Sequence, residues 1–370
     1  MTPNRRRLPA GTVPVLLSVG IVALLVAVIG VLIAGTGTNH GPKRGGPEAA
    51  PQRPWRPALV TPADRAGPPS LLLPRSIFGR PITSWPVAAE SPVLANDIVK
   101  QYHAAYGNVT VNTDRPVYWA APGQPRVAMH VLPGCQNFLT QTGALVPIPP
   151  GAVPGHSSDA ILSVYQPSTH SAWEFWRTAQ KDGSWYACWG GKIDTRTTNG
   201  VFPFPYGETA SGISNLATEI TENDIATGAI RHAVGMVVLG DSCDWSGTSV
   251  HGGLFPANRT DCGYKTPGWP AEGQWFRFPP GLAMPPRLTP FAQMVFRAIQ
   301  TYGAVVVDQS AAVAVLADQP SAWRVAGNRG VDPITASFDG VPAYKVIAGL
   351  PWGKLQAVTP PTNPGAQANG

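Results

Sequence analysis

The chain has 370 residues, room for one large or two ordinary domains, and only 13% of them are charged while Gly (40) and Pro (41) are abundant. That composition suits a turn-rich β protein outside the cytoplasm better than a cytosolic helical enzyme. Residues 1–80 hold ten Lys/Arg against two Asp/Glu, whereas residues 81–370 carry a net charge of −2. The folded part has no basic excess to neutralise a run of phosphates, which excludes nucleic acid as a partner.

In chain order, residues 1–12 read as a cytoplasmic N-terminus with Arg5, Arg6 and Arg7. Val13–Ala34 is a run of 22 uncharged positions. At about 1.5 Å per residue it spans the roughly 30 Å hydrocarbon core, which predicts one transmembrane helix and makes the cell membrane a partner. A secretory leader usually has an apolar core of about 7–15 residues. The small residues Ala34-Gly35-Thr36-Gly37 keep cleavage open; length favours the uncleaved anchor. Residues 35–90 contain eleven prolines and read as a semi-extended linker. An extracytoplasmic domain is expected over 91–357, followed by a loose tail over 358–370.

Within that domain, Ser91-Pro92 opens a helix whose apolar stripe is Val93, Leu94, Ile98, Val99 and Tyr102, with Gly107 ending it. Short strands follow near Val109–Val111 and Val127–Leu132. Residues 159–193 read as three strands joined by two turns, and four of the twelve tryptophans lie there: Trp173, Trp176, Trp185 and Trp189. Strand alternation puts Trp173 and Phe175 on one face, assigned to the core, and Glu174 with Trp176 on a solvated one. A short helix is expected with Ile213, Leu216, Ala217 and Ile220 on one side. Ala229–Leu239 reads as a strand that includes His232. After a long irregular region, Thr289-Pro290 opens a second clear helix ending at Tyr302-Gly303. Ala304–Asp308 is a buried strand.

Cys135, Cys188, Cys243 and Cys262 form an even set with no C-x-x-C pair, which argues for disulfides in an oxidising compartment rather than for zinc. The expected pairs are Cys135–Cys188 and Cys243–Cys262, and they place the domain outside the cell. No nucleophile elbow, zincin motif, P-loop or dinucleotide fingerprint is present, so neither a cofactor nor a metal site is expected. The candidate catalytic residues are His232, Glu174 and Asp308. The candidate ligand-binding residues are Trp176, Trp189, His251 and Arg259. Glu174, Trp176 and His232 are expected within about 10 Å of each other around one glycan-contacting groove.

Trp173-Glu-Phe-Trp176, Trp189-Gly-Gly-Lys-Ile193, Thr209-Ala-Ser-Gly212, Gly228-Ala-Ile-Arg-His-Ala233 and Gln300-x-Tyr-Gly303 followed by Asp308 together resemble a family of uncharacterised secreted or membrane-anchored bacterial proteins of actinobacterial type. The resemblance covers roughly residues 155–310 and implies a mainly β, jelly-roll-like β-sandwich, here with two or three helices. The resemblance names no function; the residues themselves leave two as expectations. One is the binding of cell-envelope polysaccharide through tryptophans. The other is a polysaccharide lyase or glycoside hydrolase using His232 with Glu174 or Asp308. A surface protein of phage origin fits the same residues.

Overall fold

A computed structural model describes residues 75–139, 145–243, 253–263 and 265–360. The apolar run Val13–Ala34, the first part of the proline-rich segment and His251 lie outside them. Among the described residues no helix is long and apolar enough to cross a membrane.

The elements begin with α1 (Ser91–Ala105), β1 (Thr110–Arg115), β2 (Val117–Trp119), β3 (Val127–Val131) and β4 (Leu145–Val146). The Trp-rich region supplies β5 (Leu162–Gln166), β6 (Ser171–Trp176), β7 (Ala179–Lys181), β8 (Ser184–Ala187) and β9 (Trp189–Asp194). Then come α2 (Asn215–Thr218), α3 (Glu222–Thr227), β10 (Val234–Val238), β11 (Trp275–Arg277), α4 (Pro290–Thr301) and β12 (Ala304–Gln309). The chain continues through β13 (Ala314–Asp318), α5 (Pro320–Val325), α6 (Pro333–Ser337) and β14 (Gln356–Val358).

The largest sheet has six strands in the order β1-β13-β10-β12-β11-β14. Its central strands are apolar until the last positions of β12 and β13, Asp308, Gln309 and Asp318, because both faces are covered. Val234, Met236, Val238, Ala304, Val306 and Val315 point into a core shared with α1 and α4. The alternate residues Val237, Val305, Val307, Ala314 and Leu316 meet Phe78, Ile82 and Trp275 on the other side. β1 pairs with β13 in parallel, and β10 with β12 likewise. Parallel pairs require long connections, and α4 lies in one of them. The protein is mainly β with several sheets. No sheet closes among the described residues, and the largest mixes parallel with antiparallel pairs.

Two four-stranded sheets, β2-β5-β6-β9 and β4-β3-β8-β7, enclose a common core of Tyr118, Met129, Val164, Trp173, Phe175 and Trp185, a sandwich on a small scale. The three long strands expected over 159–193 are five shorter ones. The reason is a corner. Arg177 takes a left-handed φ of 52° and ends β6, and opposite it the chain breaks at Cys188, whose N–H donates to the Trp176 carbonyl at 3.0 Å. The ribbon therefore leaves one sheet as β6/β9 and enters the other as β7/β8. Trp176 and Trp189 are cross-strand partners at that corner.

Both domain limits move outward. The linker was expected to run to residue 90, yet Phe78 and Ile82 are fully buried against the main sheet. The tail was expected from residue 358, yet Val358 is buried and paired with Trp275 in the sheet. α1 starts at Ser91 as expected, but Glu90 occupies the cap position. The Ser91 hydroxyl instead accepts a bond from the Ala357 N–H at 2.9 Å, pinning the helix to the last strand. Both expected disulfides, Cys135–Cys188 and Cys243–Cys262, are formed.

Candidate functional site

A cleft of about 670 Å³ opens at the ribbon corner. Trp176, Trp189 and the Cys135–Cys188 disulfide form one wall. The segment after β9 contributes Glu208 and Ala210. The loop closed by Cys243–Cys262 contributes Arg259, Thr260 and Asp261, and the end of β12 contributes Asp308 and Gln309. Stretches of chain from Cys135, Trp176–Trp189, the Glu208 segment, the disulfide loop and the end of β12 thus meet here.

The indoles are fixed by their N–H groups. Trp176 Nε1 donates to Asp159 Oδ1 at 3.1 Å, and Trp189 Nε1 donates to the Pro205 carbonyl at 3.3 Å. Trp189 also stacks on Tyr206, with ring centroids 6.1 Å apart. With the polar edges engaged inside the protein, the half-buried rings line the cleft as flat apolar surfaces. Gly191 is part of this construction. A Cβ there would lie 2.5 Å from the Phe202 ring, so only glycine lets the segment leading to Glu208 close over β9.

The polar wall is acidic. Arg115 Nη1 donates to Glu208 Oε1 and Oε2 at 3.2 and 3.0 Å, and Asn215 Nδ2 donates to Glu208 Oε2 at 2.5 Å. Burial nonetheless pushes the Glu208 carboxyl up to about 7, outweighing the opposing pull of Arg115. Asp308 accepts from the Gln309 N–H at 2.8 Å and the Ala210 N–H at 3.3 Å. Its carboxyl is also raised to about 7, first by burial and further by Glu208, against Arg115. Arg259 donates through Nη2 to the Gly207 carbonyl at 3.0 Å and to the Thr209 carbonyl, which anchors the disulfide loop to the Glu208 segment. Burial lowers its pKa.

Of the expected ligand-binding residues, Trp176, Trp189 and Arg259 all line this cleft, as does the expected catalytic Asp308. His251 lies outside the described residues. Glu174 and His232 require correction. Glu174 has no exposed surface, because the second face of β6 is also covered, by Phe202 and Leu216. Its carboxylate accepts from the Ser214 hydroxyl at 2.5 Å and from the Asn215 and Leu216 N–H groups at 2.9 and 3.2 Å. It therefore caps the first turn of α2, a structural task. His232 sits in a bend before β10 and is 8% exposed. Its Nδ1 bonds the Ala233 carbonyl at 2.8 Å and its Nε2 meets Asp224 Oδ2 at 3.2 Å. Asp224 in turn closes the capping box of α3 with Thr221. His232 does not line the cleft, so the expected groove of Glu174, Trp176 and His232 does not form.

Glu208, Asp159 and Asp261 escaped the sequence reading. One signal was present: an aspartate stands immediately beside Cys262 and another, Asp241, two residues before Cys243, so one disulfide carries acidic side chains at both ends. No family model matches the chain, and no curated protein or solved structure is significantly similar to it.

Proposed function

We propose that the cleft binds a carbohydrate of the cell envelope, presented to an extracytoplasmic domain that Val13–Ala34 anchors in the membrane. The observation that carries this reading is the Trp176–Trp189 pair. Two indoles on neighbouring strands, with their N–H groups already satisfied, face a wall of carboxylates and one guanidinium. Flat apolar rings beside hydrogen-bonding groups are the chemistry that a pyranose ring and its hydroxyls require. Two disulfides support the outside location, since such bonds persist in oxidising compartments. The resemblance to secreted bacterial proteins points the same way.

A second reading has one specific observation behind it. Glu208 and Asp308 share the cleft, and each is held near neutrality. A pair in which one carboxyl is protonated while the other is ionised is what a glycoside hydrolase needs. The hydrolase alternative therefore rests on Asp308 with Glu208 and no longer on His232 or Glu174.

The test incubates the full-length chain, in mild detergent, with fractionated cell-wall polysaccharides and scores both retention and released reducing ends. Retention that falls at least about tenfold in Trp176→Ala and in Trp189→Ala, with melting unchanged, supports the proposal. Retention unaffected by either variant refutes it. Released product that disappears in Asp308→Asn selects the hydrolase.

A further inference from the structure

Behind the cleft wall, three carboxylates from distant parts of the chain converge. Asp241 follows β10, Asp261 precedes Cys262, and Glu272 precedes β11. One ligand oxygen from each lies within 4.8 Å of those of the others. We propose that Asp241, Asp261 and Glu272 form a binding site for a divalent cation of the calcium class.

A cluster of acids alone does not make a site, but two of these three are buried; Asp261 is exposed and accepts from Gln309 Nε2 at 3.2 Å. Glu272 has no exposed surface and Asp241 is 6% exposed. None of their four carboxylate oxygens has a hydrogen-bond partner of ordinary geometry, although the Asp241 and Glu272 carboxyls act on each other and the Thr260 hydroxyl on Glu272. Buried carboxylates are costly to leave unpaired, and native proteins pair them or bind a metal. Among the described residues no salt bridge reaches any of the three. Arg259 acts on Glu272 and Asp261 through space, but no salt bridge among the described residues joins it to the cluster, and its Nη2 is engaged by two backbone carbonyls.

The carboxylates are also held together by bonds in which they take no part. Cys243–Cys262 ties the Asp241 segment to the Asp261 segment. The Ser242 N–H donates to the Pro270 carbonyl at 2.9 Å, and the Leu254 N–H to the Glu272 carbonyl at 2.8 Å. Trp269 lies against Gly240, where a Cβ would come within 2.6 Å of its ring. The backbone thus enforces an arrangement that like charges resist, which is how a cation site is prepared before its ion arrives. The donors are all carboxylate oxygens, and every described cysteine is in a disulfide. That set suits a hard cation with oxygen bonds of about 2.3–2.6 Å rather than zinc or copper. Asp261 also lines the cleft, so the ion would stand at its wall.

The test uses the full-length chain after treatment with a chelator. Titration with calcium chloride, followed by calorimetry and thermal melting, is repeated with magnesium chloride. Saturable binding of a single calcium ion per chain is expected, with melting raised by roughly 5 °C at about a hundredfold excess over Kd. Glu272→Gln and Asp241→Asn should each weaken calcium binding at least about tenfold. Without ion, Glu272→Gln should melt no lower than the wild type without ion, because the unpaired buried charge is gone; lost binding then cannot be ascribed to unfolding. Absence of both heat and a melting shift at millimolar calcium overturns the proposal, as do variants that bind as tightly as the wild type. Magnesium bound equally well or better overturns the calcium assignment. Polysaccharide retention is not part of this readout, so the cation site stands or falls independently of the glycan reading.

Discussion

Glu208→Gln is the substitution with the most definite outcome. The Glu208 carboxyl titrates near 7 in the folded protein, against an ordinary 4.5, so the folded state holds a proton that the unfolded state has already released. A group raised in this way contributes stability in full below the unfolded pKa and loses it as pH rises through the folded one. Integrating between pH 5 and pH 8 gives a loss of about 2–3 kcal/mol from this one carboxyl. Glutamine keeps the shape of the neutral acid and cannot ionise, so the variant lacks this loss. Asp308 adds to the contrast, since Glu208 helps to raise it and it relaxes downward in the variant. Glu219, raised first by burial and in part by Glu208, relaxes in the same direction, whereas Glu174, Glu272 and Asp318 are raised by burial in both proteins and cancel in the comparison. The assay is thermal melting followed by tryptophan fluorescence at intervals across that range. Wild-type melting should fall relative to the variant by about 5–10 °C between pH 5 and pH 8. Equal pH slopes would mean that Arg115, not burial, governs Glu208, and the account of the acidic wall would have to be withdrawn.

Trp173→Ala removes a fully buried indole that also carries the Lys192 ammonium 5.2 Å and the Arg126 guanidinium 5.7 Å from its ring; it should cost about 3–5 kcal/mol in denaturant titration, and a loss below about 1 kcal/mol would contradict the core assignment. Replacing Cys243 and Cys262 together by serine should cost about 3 kcal/mol from the opened loop, whereas alkylation of the native wild type should find no reactive thiol; four labelled cysteines would refute both disulfides. Burial is the largest single influence on His232 and lowers it, but the charge and hydrogen bond of Asp224 and the Ala233 carbonyl together raise it, for a net upward shift, so its contribution is complete below about pH 6.5 and fades as pH climbs through its folded value. His232→Ala should flatten that part of the melting profile, and an unchanged profile would show that the histidine stays neutral.

Local patterns carried much of this fold in legible form. The stripe from Val93 to Tyr102 and the Thr289-Pro290 start identified the two long helices, and Thr289 does cap α4 through its side chain. Alternation correctly sent Trp173 and Phe175 inward. What alternation lacks is knowledge of the far face. It set Glu174 opposite the core, but only the return of Phe202 and Leu216 from later in the chain seals that side. His232 failed for a similar reason: the apolar alternation of Val234 and Met236 was extended two residues too far, into a bend governed by a helix cap. The cleft itself was half legible. Trp176, Trp189, Arg259 and Asp308 were chosen for their chemistry, whereas Glu208 and Asp261 acquire theirs only through contacts between segments that no short-range pattern connects. The parallel pairing of β1 with β13, across some two hundred residues, is invisible for the same reason.

The two disulfides have a consequence for the rims of the cleft. Cys135–Cys188 lies in the cleft wall, and Cys243–Cys262 closes the loop bearing Arg259 and Asp261. The apolar clusters that hold the sheets together contain none of these cysteines. Without these two bonds both rims of the cleft would be unstitched. The disulfides thus supply the covalent ties at the two rims of the cleft, ties in which the apolar clusters have no part.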